Sequence, residues 1–532
     1  MGGFRAVEDR PTPKEVYNFR LYSEAIVIAT GSLLFGYDSA FVGTTIARKS
    51  FKHDFGINPK TANSTSSNIT SAFQAGAFFG SLFSFLITER VGRKWALQIS
   101  VLVFTIGAIL MTATTGQLGM IYAGRVLTGL GCGGITSGVP SYIAELSIPS
   151  IRGILTGFFE IAYQVGSVVG FWINYGINQN MDQTKSITWR IPMACQLIPA
   201  GILLVGGCFL HETPLWLMRK GRTEEAFRVL EELRRLPVDH QYIQEEVAMI
   251  RTRLEEEEAI SARYGSGQWA FFRGAINEMM RKGMRNRVLL VFCAFALQNM
   301  SGAAAINYYS PTLFTSLGIT EVSLYTGIYG LVKAVASIIF YIFFIDTLGR
   351  RNPVIVSSIA CSLCLWVVGA YVKIGDPAAT LAAGEQLSSS TAAGGRAAIG
   401  FIMIYAIFWS FGLNGIPWIV SAEIFPGALR NVSGTWASLV QWATQFTITK
   451  SLPYIFTSFG YGTWFFFASW MLLATIWSFF CLPETKGLTT EQMDEIFGYL
   501  HEQGRGTLAQ AKGLTEVVED RKGSTNQHYE EV

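Results

Sequence analysis

The sequence predicts an all-α membrane protein with twelve transmembrane helices in two pseudo-symmetric six-helix bundles. Three observations carry this prediction: a shortage of charged residues, twelve apolar runs of membrane-spanning length, and short motifs that occur twice in the same order. Of the 532 residues, 15% are charged and 50% are hydrophobic, whereas soluble domains carry about 25% charged residues. Most of the outer surface is therefore predicted to face lipid rather than water.

The apolar runs fall into two groups of six. A helix needs about 20 apolar residues to cross the hydrocarbon core of a membrane, which is about 30 Å thick. Runs of this length lie at residues 23–46, 69–88, 95–115, 119–142, 154–177, 189–210, 287–310, 322–345, 353–373, 397–421, 433–456 and 462–482. We therefore predict an N-terminal segment, a first bundle, a charged loop with short amphipathic helices, a second bundle and a C-terminal tail, at residues 1–22, 23–211, 212–286, 287–482 and 483–532.

The distribution of lysine and arginine predicts the orientation, because cytosolic loops carry an excess of both. If the helices alternate in direction, both termini, the charged loop and most arginine-rich helix ends lie on one side, which is predicted to be the cytosol. The loop around Arg48 and Lys52 opposes this orientation but carries fewer basic residues. Asn63 and Asn68 in that loop begin two glycosylation sequons and are predicted to be accessible from outside.

Three motifs occur once in each half of the chain. Glu145 precedes Arg152 by seven residues, and Glu423 precedes Arg430 by the same distance. Paired motifs in one order indicate an internal structural repeat, in which a solute site lies between the two halves. The paired segments are 89–94 with 346–351, 144–152 with 422–430, and 211–214 with 483–487.

Two other patterns are predicted to serve packing rather than chemistry. Gly129-Leu-Gly-Cys-Gly-Gly134 matches the dinucleotide pattern G-x-G-x-x-G, but it lies inside an apolar helix without a preceding strand. Close helix packing through small residues is the favoured interpretation. Cys361 and Cys364 form a C-x-x-C pattern, which is interpreted as two small apolar residues on a membrane helix.

Five motifs resemble those of the sugar porters of the major facilitator superfamily. They are Gly36-Tyr37-Asp38, Glu89-Arg90-x-Gly92-Arg93-Lys94, Gly124-Arg125-x-x-x-Gly129-x-Gly131-x-Gly133, Pro140-x-Tyr142-x-x-Glu145 and Pro483-Glu-Thr-Lys-Gly487. The resemblance covers residues 20–490. Within the family, the segments 8–14, 36–43 and 170–175 are most similar to the fungal quinate permease branch and its monosaccharide-transporting relatives. The resemblance implies the major facilitator fold and solute transport by alternating access.

Asp38 is the strongest candidate for a proton site. It lies in the middle of the first apolar run, where an ionised carboxylate costs about 2.5–3.5 kcal/mol unless it has a partner or a proton. Arg125, early in the fourth run, is the expected partner. By resemblance to proton-coupled sugar porters, Asp38 takes up the proton and Arg125 modulates that uptake.

The resemblance also implies a solute site. Glu160 stands where hexose carriers have glutamine, and Asn299 replaces the second glutamine of a pair. A carboxyl beside the solute favours a hydroxylated ring acid; alternatively, a protonated Glu160 donates a hydrogen bond to a neutral sugar. Tyr309 is expected to form an outer lid together with Tyr308. The implied substrate-binding residues are Glu160, Gln298, Asn299, Tyr308, Trp418, Gln441 and Trp442.

Charged residues cluster at the predicted cytosolic helix ends. One interpretation is an orientation signal with ordinary solvated charges, because exposed pairs contribute only about 0–1 kcal/mol each. The interpretation implied by the family is a network that locks the cytosolic side while the outer side is open, since several pairs together can bias a two-state equilibrium. The residues are Arg90, Arg93, Glu145, Arg152, Arg350, Arg351, Glu423 and Arg430.

These observations predict a monomeric proton symporter of the plasma membrane for a polyhydroxylated ring, with quinate as the first candidate. The alternatives are a carrier of neutral monosaccharides such as glucose or xylose, as symporter or facilitator, and a transporter-like nutrient sensor. The expected partners are the solute, a proton and the lipid bilayer. The net charge of +3 without a basic patch argues against nucleic acid. No nucleophile–base pair or metal-ligand cluster stands out, so neither an enzyme nor a cofactor is predicted.

Overall fold

The computed structural model describes residues 12–265, 270–319, 321–488 and 490–498, and these contain helices but no β-strands. Twelve long helices, α1 to α12, follow one another in chain order. They are α1 Phe19–Ile46, α2 Ala62–Val91, α3 Arg93–Ala113, α4 Leu118–Leu146, α5 Arg152–Asn180, α6 Ile187–Cys195 with Leu197–Cys208, α7 Met284–Asn299 with Ala303–Ser316, α8 Val322–Ile339 with Phe340–Phe344 and Ile345–Leu348, α9 Arg351–Gly375, α10 Ser389–Phe411 with Ile416–Glu423, α11 Arg430–Phe459 and α12 Gly462–Cys481.

Eleven of these helices are long and apolar enough to cross a membrane, counting only the described residues. The exception, α11, is 30 residues long but carries polar side chains on a buried face, including Ser438, Gln445 and Thr449. These residues lower its hydropathy without exposing polar atoms to lipid, because they point into the bundle. The predicted twelve-helix, all-α membrane fold is confirmed.

Other helices lie outside these twelve. The charged stretch between α6 and α7 folds back onto the first half through Arg234, whose guanidinium donates to Glu246 at 2.6 Å and to the carbonyl oxygen of Leu146 at 2.9 Å. The longest of these helices is Gln241–Arg263, with 23 residues. The full set in the described residues is Lys14–Val16, Lys49–Asp54, Pro149–Ile151, Pro214–Arg219, Thr223–Arg234, Gln241–Arg263, Ala270–Met279, Pro377–Ala382, Gly427–Leu429 and Thr490–Ile496.

The glycines of α4 let three helices pack closely. A Cβ atom on Gly129 would lie 2.1 Å from the carbonyl oxygen of Phe73 in α2, and one on Gly133 would lie 2.0 Å from that of Ala77. Gly131 faces α3 instead, where a Cβ atom would lie 2.5 Å from the carbonyl oxygen of Ser100. The prediction that this glycine pattern serves helix packing is confirmed.

The two halves meet along four helix pairs: α1 with α7, α2 with α11, α4 with α11, and α5 with α8. In the loop before α2, Arg48 is 7% exposed and donates to the Asn174 carbonyl oxygen at 3.0 Å, so it anchors α1 to α5. The prediction that both sequons of this loop are accessible needs correction. Asn63 is exposed, but Asn68 lies within α2, is half-buried and accepts from Lys450, so the two sequons are not equally accessible.

Candidate functional site

A buried ion pair joins α1 to α4. Arg125 Nη1 donates to Asp38 Oδ1 at 2.6 Å, and the side chains are 1% and 0% exposed. Arg125 Nε donates to the Ile69 carbonyl oxygen at 3.2 Å, and the guanidinium lies 4.5 Å from the centre of the Phe73 ring. Asp38 Oδ2 is buried and has no hydrogen-bond partner among the described residues. The structure thus brings the predicted pair together and leaves one carboxylate oxygen able to accept a proton.

A second group of polar side chains lies between the halves. Glu160 Oε1 on α5 accepts from Gln164 Nε2 at 2.7 Å and from Asn414 Nδ2 of the second half at 2.6 Å. Ser337 Oγ on α8 accepts from the same two amides, at 3.2 Å each. We call these four residues and Gln298 the central polar cluster. Glu160 and Gln298 were predicted from the sequence, and Gln164, Ser337 and Asn414 were not.

Breaks in α7 and α10 shape the cluster. The chain leaves helical geometry between Phe411 and Ile416, and Gln298 Nε2 donates to two carbonyl oxygens there, Leu413 and Asn414, at 2.7 Å each. In the α7 break, Ser301 accepts at its carbonyl oxygen from Tyr405 at 3.0 Å. Each break is therefore satisfied by side chains of the other helix, as irregular backbone inside a membrane requires.

The other predicted solute residues form separate contacts. Asn299 Nδ2 donates to Gln441 Oε1 at 2.8 Å, and the Tyr308 hydroxyl accepts from Gln445 at 3.1 Å. Trp442 is 1% exposed and its ring lies 5.2 Å from that of Phe35, so it packs into the core of the first half. The structure thus pairs Asn299 with Gln441 and keeps Trp442 outside the central polar cluster.

Two further aromatic residues from the prediction lie in different places. The Trp418 ring lies 4.8 Å from the Phe295 ring and is half-buried. The Tyr309 hydroxyl donates to the Thr449 carbonyl oxygen of α11 at 3.1 Å. Tyr309 is therefore placed to hold α7 against α11, whereas Trp418 packs against a neighbouring aromatic ring.

Lys333 on α8 is a charged residue that the sequence analysis overlooked. It is 0% exposed, and its Nζ donates to Asn307 Oδ1 at 3.5 Å. It is one turn before Ser337, and so it shares that residue's face of the helix. A charge in the middle of an apolar run was the signal that identified Asp38, and the same signal was present here.

The halves touch at the end of the bundle opposite the repeated motifs. Ser67 Oγ on α2 donates to the Lys450 carbonyl oxygen on α11 at 2.7 Å, and Asn178 on α5 donates to Ser323 on α8 at 3.0 Å. A Cβ atom on Gly43 of α1 would lie 2.2 Å from the carbonyl oxygen of Tyr308 on α7. We call this contact region the closed seam.

We call the other end, which carries Arg93, Glu145, Arg350 and Glu423, the motif end. Arg93 Nε lies 2.9 Å from Glu145 Oε2, and Arg350 Nη2 lies 2.7 Å from Glu423 Oε1. Both ion pairs lie within one half, and none of the ion pairs seen among the described residues joins the membrane helices of the two halves. The structure therefore combines a closed seam at one end with separate charge pairs at the other.

The remaining predicted motif-end residues differ in their surroundings. Arg90 is exposed, and Arg351 donates to the carbonyl oxygen of Phe479. Arg152 and Arg430, one from each half, are close enough to each other and to Arg253 for their charges to interact. The two paired arginines of the repeat thus lie near like charges, which Glu246 and Glu145 offset at Arg152 and Glu423 offsets at Arg430.

Two glutamates, one for each half, hold the turns that precede α3 and α9. Glu212 accepts from the backbone N–H groups of Arg93 at 2.8 Å and Lys94 at 3.1 Å, and Glu484 accepts from those of Arg350 at 2.8 Å and Arg351 at 3.1 Å. Burial raises the pKa of Glu212 despite these donors. Burial acts in the same direction on Glu484, but backbone N–H donors outweigh it and lower its pKa.

Comparison with known proteins agrees with this arrangement. Residues 24–497 match the family described as Sugar (and other) transporter. The chain is 44% identical over 499 residues to a probable quinate permease of Neosartorya fischeri, covering 92% of this chain and 90% of that protein. It is 43% identical over 496 residues to the quinate permease of Emericella nidulans, covering 92% and 91%.

Solved structures show the same fold. A structure of the proton:xylose symporter XylE bound to 6-bromo-6-deoxy-D-glucose superposes with a TM-score of 0.71 and 22% identity, covering 90% of this chain and 99% of that one. The partially occluded inward open XylE of E. coli gives a TM-score of 0.71 at 21% identity, covering 88% and 99%. The chain therefore belongs to the sugar porter family of the major facilitator superfamily, and it is a multi-pass membrane transporter and not an enzyme.

Proposed function

We propose that this transporter takes up a polyhydroxylated ring solute together with a proton, with quinate as the first candidate. The observation that carries proton coupling is the Asp38–Arg125 pair, which is buried between α1 and α4. An ionised carboxylate inside a membrane is costly, so its charge is balanced either by a partner or by a proton. Arg125 fills the first role, and Asp38 Oδ2 remains able to accept the second.

One hydrogen bond joins α1 to α5 beside the residues of both sites. Ser39 follows Asp38 in the sequence, and its hydroxyl lies 3.2 Å from the hydroxyl of Tyr163. Tyr163 lies one helical turn after Glu160 on α5. This hydrogen bond joins the helix that carries Asp38 to the helix that carries Glu160, and it is the route by which we propose that proton binding and solute binding are coupled.

The substrate assignment rests on the cluster and on the relatives. Amide and hydroxyl groups of Gln164, Gln298 and Ser337 can bind several hydroxyls, and buried Gln164 Oε1 and Gln298 Oε1 have no hydrogen-bond donor among the described residues. Two relatives above 40% identity are named as a quinate permease or a probable one. A hydroxylated ring acid is therefore the first candidate. A neutral monosaccharide is the second, because a solved structure with the same fold is a xylose symporter.

For the orientation, we propose that the motif end faces the cytosol, together with both termini, in the plasma membrane. The motif end carries most of the arginines at the helix ends, which favours the cytosolic side. Alternating access then requires the closed seam to open while the charges at the motif end come together. We propose that the transporter works as a monomer. The like charges of Arg152 and Arg430 would favour the separated arrangement.

Uptake into proteoliposomes that contain the purified full-length chain tests this proposal. A proton moving through about 100 mV releases about 2.3 kcal/mol, which supports roughly fortyfold accumulation of a neutral solute. Quinate carries one negative charge, so symport with one proton is electroneutral and responds only to the pH gradient. We expect labelled quinate to accumulate when the proton concentration is higher outside the liposomes than inside, and not with a membrane potential alone. Accumulation of xylose driven by the potential, without uptake of quinate, would establish the second candidate instead.

A further inference from the structure

Lys333 is a buried ammonium group without an anionic partner. Its Nζ donates to one atom among the described residues, Asn307 Oδ1, at the long distance of 3.5 Å. No carboxylate of the described residues lies within the 4.0 Å of an ion pair. An ammonium carries three N–H donors, and a charge buried without a counter-charge is destabilising. Lys333 therefore carries N–H donors that the described residues leave unsatisfied, and an anionic ligand would stabilise its charged form.

Aromatic rings from both halves surround this ammonium. Its Nζ lies 5.5 Å from the centre of the Tyr163 ring on α5 and 5.9 Å from the centre of the Trp409 ring on α10. The faces of aromatic rings stabilise a cation within about 6 Å. They also provide flat surfaces for the C–H edges of a saturated ring. Lys333 is therefore held at the boundary between the halves, beside the central polar cluster.

The nearest anionic group is already engaged elsewhere. Glu160 is close enough to Lys333 for their charges to interact, but not to form an ion pair. Its Oε1 accepts from Gln164 at 2.7 Å and from Asn414 at 2.6 Å. Ser337, one turn along α8 from Lys333, also belongs to this cluster. The cation thus lies on the side of the solute site that faces Glu160 across the gap between the halves.

We propose that Lys333 binds the carboxylate of the substrate and thereby selects hydroxylated ring acids over neutral sugars. This inference rests on the proposed function. The carboxylate supplies the counter-charge that Lys333 lacks, the amides and Ser337 bind the ring hydroxyls, and Tyr163 and Trp409 cover the ring. Glu160 repels any acid whose carboxylate points the other way, so the two charges together orient the substrate.

The test compares two ligands with the same ring, quinate and its uncharged amide, quinamide. Binding to the purified full-length protein is measured for the parent and for Lys333→Gln, which keeps a donor to Asn307 but removes the charge. We expect Lys333→Gln to weaken quinate binding roughly tenfold or more, because a buried charge pair loses one partner. Quinamide binding should change less than about threefold by the same reasoning. Lys333→Arg should retain most of the preference for quinate.

Lys185→Gln is the matched control, because it removes the charge of an exposed lysine that lies outside the central polar cluster. It should keep the preference for quinate over quinamide. If Lys333→Gln preserves the preference, or weakens both ligands equally, the role assigned to Lys333 is wrong. If the parent protein does not bind quinate but binds xylose or glucose, the proposed substrate class itself is wrong. The two failures are therefore distinguishable.

Discussion

The two halves share their motif ends but differ in their interiors. At the motif end, Arg93 pairs with Glu145 in the first half and Arg350 pairs with Glu423 in the second. In the interior, the first half has a fully buried ion pair, that of Asp38 with Arg125, and no second such pair occurs among the described residues of the membrane helices. Both halves of the structural repeat thus have an arginine–glutamate ion pair at the motif end, where the halves must move in the same way.

The interior of the second half is specialised by broken helices. Both α7 and α10 are interrupted, and α8 contains a π-helical segment, Phe340–Phe344, whereas in the first half only α6 is interrupted, at Gln196. Discontinuous helices expose backbone and polar side chains to a central site, as is common in transporters with internal repeats. Under the proposed function, proton binding belongs to the first half and most solute contacts belong to the second.

The largest expected effect is at Asp38, which has no equivalent in the second half. Asp38→Asn keeps the shape and hydrogen bonding of the side chain but cannot change charge. We expect accumulation against a gradient to be lost, while exchange of labelled for unlabelled solute continues. Proteoliposomes with an imposed pH gradient measure both activities. The exposed Asp182→Asn variant is the control and should behave as the parent. Normal accumulation by Asp38→Asn would place the proton site elsewhere.

The next effect compares the two motif-end ion pairs. Arg93 and Glu145 are 2% and 5% exposed, whereas Arg350 and Glu423 are 10% and 30% exposed. Arg93→Ala leaves a buried carboxylate without its partner and should cost about 3–5 kcal/mol of unfolding free energy. Arg350→Ala should cost about 1–3 kcal/mol, because water reaches Glu423. Thermal unfolding in detergent measures both, with the exposed Arg90→Ala as control. Equal losses of unfolding free energy would show that the two halves are equally well packed around their motif-end ion pairs.

A smaller effect separates contacts between the halves from contacts within one half. A Cβ atom on Gly43 would collide with the Tyr308 carbonyl across the closed seam, and one on Gly36 would collide with the Tyr163 carbonyl within the first half. Overpacking costs about 1–3 kcal/mol. Gly43→Ala can relieve the clash by opening the seam, whereas Gly36→Ala cannot.

The measurement is the labelling rate of a cysteine introduced at Ser67, which is 0% exposed in the closed seam, after replacement of the exposed Cys208 and Cys481. We expect faster labelling in Gly43→Ala and lower thermal stability in Gly36→Ala. Gly119→Ala, whose Cβ atom would have no heavy atom within 4 Å, is the control. Unchanged labelling in Gly43→Ala would mean that the seam does not open as a unit.

The smallest effect concerns pH and the two glutamates that hold the turns. The raised pKa of Glu212 means that its contribution to stability grows as the pH falls towards 4.5, the pKa of this carboxyl in the unfolded chain. The lowered pKa of Glu484 means that its contribution is complete above 4.5 and is lost as pH falls below it. The difference in melting temperature between parent and Glu212→Gln should therefore increase on acidification, and that for Glu484→Gln should decrease. Parallel pH profiles would contradict this difference between the halves.

The sequence by itself determined the helices and the pairing of Asp38 with Arg125. Transfer into lipid depends on each residue in turn, so hydropathy locates the helices without knowledge of their neighbours. The cost of a lone charge in an apolar run likewise identified Asp38, and it would have identified Lys333 had every such charge been considered. The predicted runs agree with the twelve helices to within a few residues at most of their ends.

Only the tertiary structure decided which side chains meet. Glu160 contacts Asn414, Trp442 turns into the first half, and Arg48 is buried, because these outcomes depend on how each helix is rotated and how closely the halves approach. Helix rotation is set by packing against several neighbours at once, and a local pattern does not contain that information. The breaks in α7 and α10 are likewise stable only because each helix satisfies the exposed backbone of the other.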